Sequence, residues 1–251
     1  MLGQKKGTAG EFPPVRNRGE GCKWTSGAVF TESEEAAMIA KEDAARAAEE
    51  LRRTRAGNPR VFFDIQIDGK AAGRIEFVLY AHEAPRAAEN FRAMCTGERG
   101  GKYTFAGMRF YRIIDRFIDQ AGVNGVNSIW GGSFDDDPGG LALKHNKAGL
   151  LSAANSGPDT NSGHFSIVVA PAPHLNGGYT IFGEVVSGME TVNAINKLTV
   201  RGTDRVVGKA VVTKAGCMLN CNSRPSVTPK CKTRSKVAQT ERGGHYRPCL
   251  D

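Results

Sequence analysis

Residues 61–67 constrain the fold more than any other stretch of the chain. Val61, Phe63, Ile65 and Ile67 alternate with Phe62, Asp64 and Gln66, and Asp68-Gly69 then turns the chain into Arg74-Ile75-Glu76-Phe77-Val78-Leu79-Tyr80. A period of two puts one apolar face on such a segment, and Asp-Gly between two such segments is a hairpin signal. A hairpin with a greasy face needs further strands or a helix to cover it. Short strands are predicted at Met108–Ile114, Phe165–Val169, Tyr179–Val185 and Val206–Ala215. One helix is predicted from Pro85 to near Gly97, burying Ala88, Phe91, Ala93 and Met94, and a second after Gly188, burying Met189, Val192, Ile195 and Leu198. Many short strands at hairpin spacing with two helices point to a mainly β fold, a closed antiparallel barrel. With 251 residues and 40% hydrophobic content, there is material for a sizeable core.

Both ends of the chain read differently. Residues 1–30 mix Gly, Pro and charge without periodicity and read as irregular chain. Thr31-Glu32-Ser33-Glu34 is a capping-box pattern, so a helix is expected over about 31–56, stopped by Gly57-Asn58-Pro59. Its Ala37, Ala40, Ala44, Ala47 and Leu51 form a narrow stripe of small groups. The stripe suits close approach to another protein, but a helix lying back on its own barrel, or persisting by propensity alone, fits equally. The expected division is an N-terminal extension over 1–59, a domain over 60–220 and a basic irregular tail over 221–251. Of the +8 net charge, the tail supplies +5 from 7 basic and 2 acidic residues. No aromatic-interleaved basic stripe accompanies it, so a protein partner is expected rather than nucleic acid.

No apolar run approaches the ~18 residues of a membrane span, and Met1–Gly7 lacks a secretory leader's apolar stretch, so a soluble cytoplasmic protein is expected. Six cysteines raise disulfide and zinc readings. Cys217, Cys221, Cys231 and Cys249 are separated by three, nine and seventeen residues and match no tight metal motif. Reduced thiols are expected, with Cys217 a small buried hydrophobe in the last strand.

Several motifs occur in a fixed order: Asp64-Ile65-x-Ile67-Asp68-Gly69, Ala88-Glu89-Asn90-Phe91-Arg92-Ala93, Thr96-Gly97-Glu98-x-Gly100, Phe110-Tyr111-Arg112-Ile113-Ile114, Phe117-x-x-Gln120, Leu143-Lys144-His145, Leu151-Ser152-Ala153-Ala154-Asn155-Ser156-Gly157-Pro158, and Phe182-Gly183-Glu184-Val185. From about Val61 to Cys217 the chain resembles the cyclophilins, the peptidyl-prolyl cis-trans isomerases. The resemblance implies an eight-stranded barrel with a helix capping each end, the N-terminal helix lying outside it. It also implies isomerase activity on Xaa-Pro bonds with no cofactor and no metal. Arg112 would be the catalytic cation. Phe117, Ile118 and Leu175 would line the proline pocket, Gln120 would bond the substrate backbone, and Ala154 and Asn155 would hold the preceding residue.

The chain also departs from the pattern. His164 stands for a glutamine, Ser166 for a pocket phenylalanine, His174 for a frequent tryptophan, Tyr179 for a histidine and Ile118 for a methionine. Losing the aromatic at Ser166 would weaken the grip on proline by roughly 1.5–3 kcal/mol. His174 implies poor cyclosporin binding. The loop Ala121–Ser128 is shorter than the family's glycine-rich one. Two roles therefore stand: an isomerase working as a subunit of a larger assembly through residues 1–59 and 221–251, or a weakly active or inactive structural and docking subunit. Extended cyclophilins occur in ciliary axonemes and radial spokes and in spliceosomal particles, which makes the cilium, or the nucleus, a candidate location.

Overall fold

β1 (Arg60–Ile67) and β2 (Lys70–Leu79) form the hairpin, with Ile67 opposite Lys70. Asp68 and Gly69 have φ of 48° and 80°, the pair of positive values that a two-residue turn with the right twist requires. This computed structural model describes residues 32–123, 128–200 and 206–218. The other strands are β3 (Phe110–Ile114), β4 (Ile118–Gly122), β5 (Leu150–Ala153), β6 (His164–Val168), β7 (Ile181–Ser187) and β8 (Ala210–Cys217). They make one antiparallel eight-stranded sheet in the order β3-β4-β6-β5-β7-β2-β1-β8.

The sheet nearly closes on itself. Arg109 bridges Val211, and the Val212 amide donates to the Met108 carbonyl at 2.9 Å. Met108 therefore belongs to the closure, and the regular strand starts only at Phe110. β8 starts later than the expected Val206 because Val206 bridges Thr199 and the Val207 amide donates to the Leu198 carbonyl. Those bonds spend the first residues on a turn behind the preceding helix.

Two helices stopper the barrel. α2 (Pro85–Thr96) has Pro at its start and Gly97 in the left-handed region at its end, φ 68°. Its Phe91 ring lies 4.9–5.8 Å from the rings of Phe63, Phe77, Phe105, Phe165 and Phe182, the centre of the interior core. Contacts of that kind favour edge-to-face geometry, as Phe91 and Phe165 show at 88°. Ala84 gives α2 no side-chain cap; Asp137, fifty residues on, accepts from the Ala87 amide at 2.9 Å and the Arg86 amide at 3.1 Å. Pro138 then opens the short α3 (Pro138–Ala142). α4 (Met189–Asn196) closes the other end with Val192 and Ile195 buried. Its Asn196 donates to Asp119 on β4 at 2.7 Å.

α1 (Glu32–Thr54) runs for 23 residues outside the barrel. Thr31, the expected capping residue, lies outside the described residues, as do 1–30 and the tail beyond 218. The small-residue stripe does not lie on the barrel: Ala37, Ala40, Ala44 and Ala47 are exposed and Leu51 is 56% exposed. Charge makes the attachment instead. Arg53 Nε donates to Glu184 at 2.9 Å, Arg55 pairs with Glu83 at 3.0 Å, and Lys147 pairs with both Glu49 and Glu184. Cys217 is disulfide-bonded, which corrects the expectation of a reduced thiol there.

Candidate active site

Strict alternation along β3 would put Arg112 on the same side as Phe110, which is 3% exposed in the interior core. Arg112 is nevertheless exposed. Pairing with β4 slips between Phe110 and Arg112, so Tyr111 is an extra residue, a bulge that turns Tyr111 and Arg112 outward together. Arg112 then sits opposite Gln120, Gln120 opposite Ser166, and Ser166 opposite Ser152, one row across β3, β4, β6 and β5. The Arg112 guanidinium donates to Gln120 Oε1 at 3.2 Å. Ser166 is 7% exposed beside this pair.

The same outer face carries a second apolar cluster, separate from the interior core. Ile118, Val168, Ala172, Leu150, Tyr80, Val78 and Ile181 are its buried members, and Phe117 and Leu175 pack on its edge. A one-turn 3-10 helix, Pro173–Leu175, presents Leu175 and His174. The His174 ring lies 5.0 Å from that of Phe117, tilted by 38°. Phe117, Ile118, Leu175 and His174 therefore meet next to the Arg112–Gln120 pair. Asn155 donates to the Gly178 carbonyl at 3.0 Å, and the Ala154 amide to the His164 carbonyl at 3.1 Å. Tyr179 is half-buried in the same loop, one residue beyond Gly178.

His164 is at the rim opposite Tyr111, whose hydroxyl lies 3.1 Å from Nδ1. Burial lowers the His164 pKa, and burial raises that of Tyr111, so both are neutral at neutral pH. Arg112 thus brings a guanidinium cation beside two uncharged hydrogen-bonding groups, Tyr111 and His164. Such a surface can grip an apolar ring and present a cation to a neighbouring amide.

Three supporting residues are not among the site residues expected from the sequence. Tyr111 shares the bulge. Asp136 accepts from Asn161 at 2.7 Å and Thr180 at 2.9 Å, and the Asp136 and Asp159 amides each donate to the other's carboxylate, pinning the loop that carries Asn155. The Asp135-Asp136-Asp137 run was the available hint, since clustered acids before a Pro are cap and turn chemistry. His145, fully buried, links β5 to the 173–176 turn: Nε2 is 3.0 Å from Ser152 Oγ and Nδ1 3.1 Å from Asn176 Oδ1.

The family described as "Cyclophilin type peptidyl-prolyl cis-trans isomerase/CLD" matches residues 62–217, more than half of the chain. This chain belongs to the cyclophilins. Among proteins similar to it is peptidyl-prolyl cis-trans isomerase 9 of Caenorhabditis briggsae, 39% identical over 194 residues, 72% of this chain and 59% of that one. Peptidyl-prolyl cis-trans isomerase cyp11 of Rhizopus delemar is 42% identical over 171 residues, 63% of this chain and 50% of that one. The Caenorhabditis elegans isomerase 9 is 36% identical over 207 residues, 70% of this chain and 66% of that one. The cyclophilin chain described here thus spans between half and two thirds of the length of these relatives. The matched span runs from within β1 to the end of β8 and leaves α1 out.

Proposed function

We propose that this cyclophilin isomerises Xaa-Pro bonds in protein segments, with Arg112 as its catalytic residue. The amide resists rotation by roughly 18–20 kcal/mol because its C–N bond has double-bond character. No covalent bond has to break; the nitrogen lone pair has to leave resonance. A donor aimed at that nitrogen as it becomes pyramidal binds the twisted state better than either planar one, which is what lowers a barrier. The observation that carries the assignment is the outward Arg112 guanidinium, held by Gln120 at 3.2 Å beside the apolar edge of Phe117, Ile118 and Leu175.

In this reading the proline ring lies on Phe117, Ile118 and Leu175, with Ser166, His174 and Tyr179 forming the remaining wall. Ala154 and Asn155 hold the main chain before the proline, Gln120 bonds it, and His164 borders that side. One flank of the amide is clamped and the other turns. Arg112→Ala removes most turnover of an Xaa-Pro test peptide while the melting temperature stays put. Equal activity in the variant ends the assignment.

The exposed stripe on α1 supports a second role alongside the first, recruitment into a larger assembly through residues 1–59 and 221–251. Among the described residues no helix is long and apolar enough to cross a membrane. The location would follow the assembly: the cytoplasm or a cilium, or else the nucleus. Loss of co-purification on deleting residues 1–58 is the expected result; unchanged association sinks this role.

A further inference from the structure

Glu184 is the most buried acid that touches α1. Its side chain is 2% exposed, on β7, in register with Leu150 and Val78 of the outer apolar cluster. A lone carboxylate there would be costly, and two cations answer it: Arg53 from α1 and Lys147 from the segment before β5. Burial pushes the Glu184 pKa up, but the Arg53 and Lys147 hydrogen bonds outweigh it and hold the group below its ordinary value. Lys147 reaches back as well, to Glu49 of α1. The helix and residues 143–147 are thereby fastened to one buried charge, across a cleft of about 220 Å³ floored by Tyr80, Leu150 and Ile181.

Segment 143–147 is also the support of the pocket wall. Two residues before Lys147, the His145 amide donates to Asn176 Oδ1 at 2.8 Å, and the Ala172 amide donates to the His145 carbonyl at 2.8 Å. Asn176 is the residue after Leu175. Among the described residues the Leu175 and Asn176 amides donate to the carbonyls of Ala172 and Pro173, within the turn itself, so His145 supplies hydrogen-bonded ties from the turn to segment 143–147, beside the packing of Leu175 on the outer cluster. The connection thus runs from Glu49, and from Arg53 by way of Glu184, to Lys147, then two residues back along the chain to His145 and by hydrogen bond to Asn176, next to Leu175.

We propose that α1 is a positioning element for the proline pocket, acting through Lys147 and His145 to hold Leu175 and His174 against Phe117. The proposal rests on the isomerase reading for its consequence, but the mechanical link is testable without it. An apolar wall grips proline in planar and twisted states alike, so loosening it raises KM and leaves kcat alone.

The test uses the full-length chain carrying Glu49→Gln with Arg53→Gln, two changes on α1 outside the barrel, and Arg53→Lys as the conservative variant. Amide hydrogen exchange at Leu175 and Asn176 is expected to quicken at least about threefold in the double variant. KM for an Xaa-Pro tetrapeptide rises about three- to tenfold at constant kcat, and Arg53→Lys stays near the parent. A lower melting temperature with unaltered exchange at Leu175 and Asn176 overturns the proposal. So does a loss in kcat at constant KM. If the parent chain shows no turnover, the isomerase reading fails, and the exchange result alone decides whether α1 holds the turn.

Discussion

The two faces of the same strands do different work. On β6, Phe165 and Ile167 point into the barrel and join the rings around Phe91, while Ser166 and Val168 face out. On β4, Ala121 faces in and Ile118 and Gln120 face out. The inner face is close-packed and, Asp119 apart, apolar along these strands, and there a change in volume costs stability directly. The outer face mixes a cation, an amide, hydroxyls and half-buried apolar groups, and its composition can change without unfolding the barrel. Ser166, where cyclophilins usually carry phenylalanine, is such a change; a serine at Phe165 next door would open the core.

Four substitutions sharpen that contrast, or break it. Phe91→Ala empties the interior and is expected to cost about 3–5 kcal/mol, read as the shift in denaturant midpoint. A change under about 1 kcal/mol would mean the interior is not the source of stability. On the outer face Arg112→Ala lowers kcat/KM about a hundredfold, near 2.7 kcal/mol, with unfolding unmoved. A stability loss of similar size would erase the distinction between faces.

Asp119 tests the boundary between them, because it lies on β4 but is buried against α4. Burial raises its pKa from 3.8 to about 7 despite the Asn196 hydrogen bond. The folded chain keeps this proton up to about pH 7 while the unfolded chain releases it near 3.8, so folded chain binds more protons between those values. This group therefore makes stability fall as pH rises through the window. Asp119→Asn is expected to stabilise by roughly 2 kcal/mol above pH 7, with the gain shrinking to nothing below about pH 4. Equal effects at pH 4 and pH 8 in thermal melts would rule out the titration.

The smallest effect is a gain. Ser166→Phe restores an aromatic beside Gln120, and KM for an Xaa-Pro peptide is expected to fall about tenfold, near 1.4 kcal/mol. A rise in KM instead would show that the outer face has repacked around the serine.

Much of the fold was legible because its signals are local. The β1–β2 hairpin, α2 and α4 come from alternation, a turn dipeptide and helix punctuation within a few residues of each other. β4 and β5 carried motifs without reading as strands, since five and four residues are too short for a period to show. The α2 cap was illegible for another reason, its acceptor, the Asp137 carboxylate, being fifty residues away. The Ala stripe suggested a close-packed face for α1, yet the stripe stays exposed, and Glu49 and Arg53, with Arg55 just beyond the helix, make the attachment to Lys147, Glu184 and Glu83.

Residue order alone determined the barrel class and the family, since periodicity, turn chemistry and ordered motifs are properties of neighbours in the chain. Only the tertiary structure decided that Arg112 faces outward, because a one-residue slip between β3 and β4 inverts which side a side chain takes. It alone decided, too, that α1 is held by a buried carboxylate. Pairing charges 131 residues apart depends on where the sheet brings β7, and no local pattern records that.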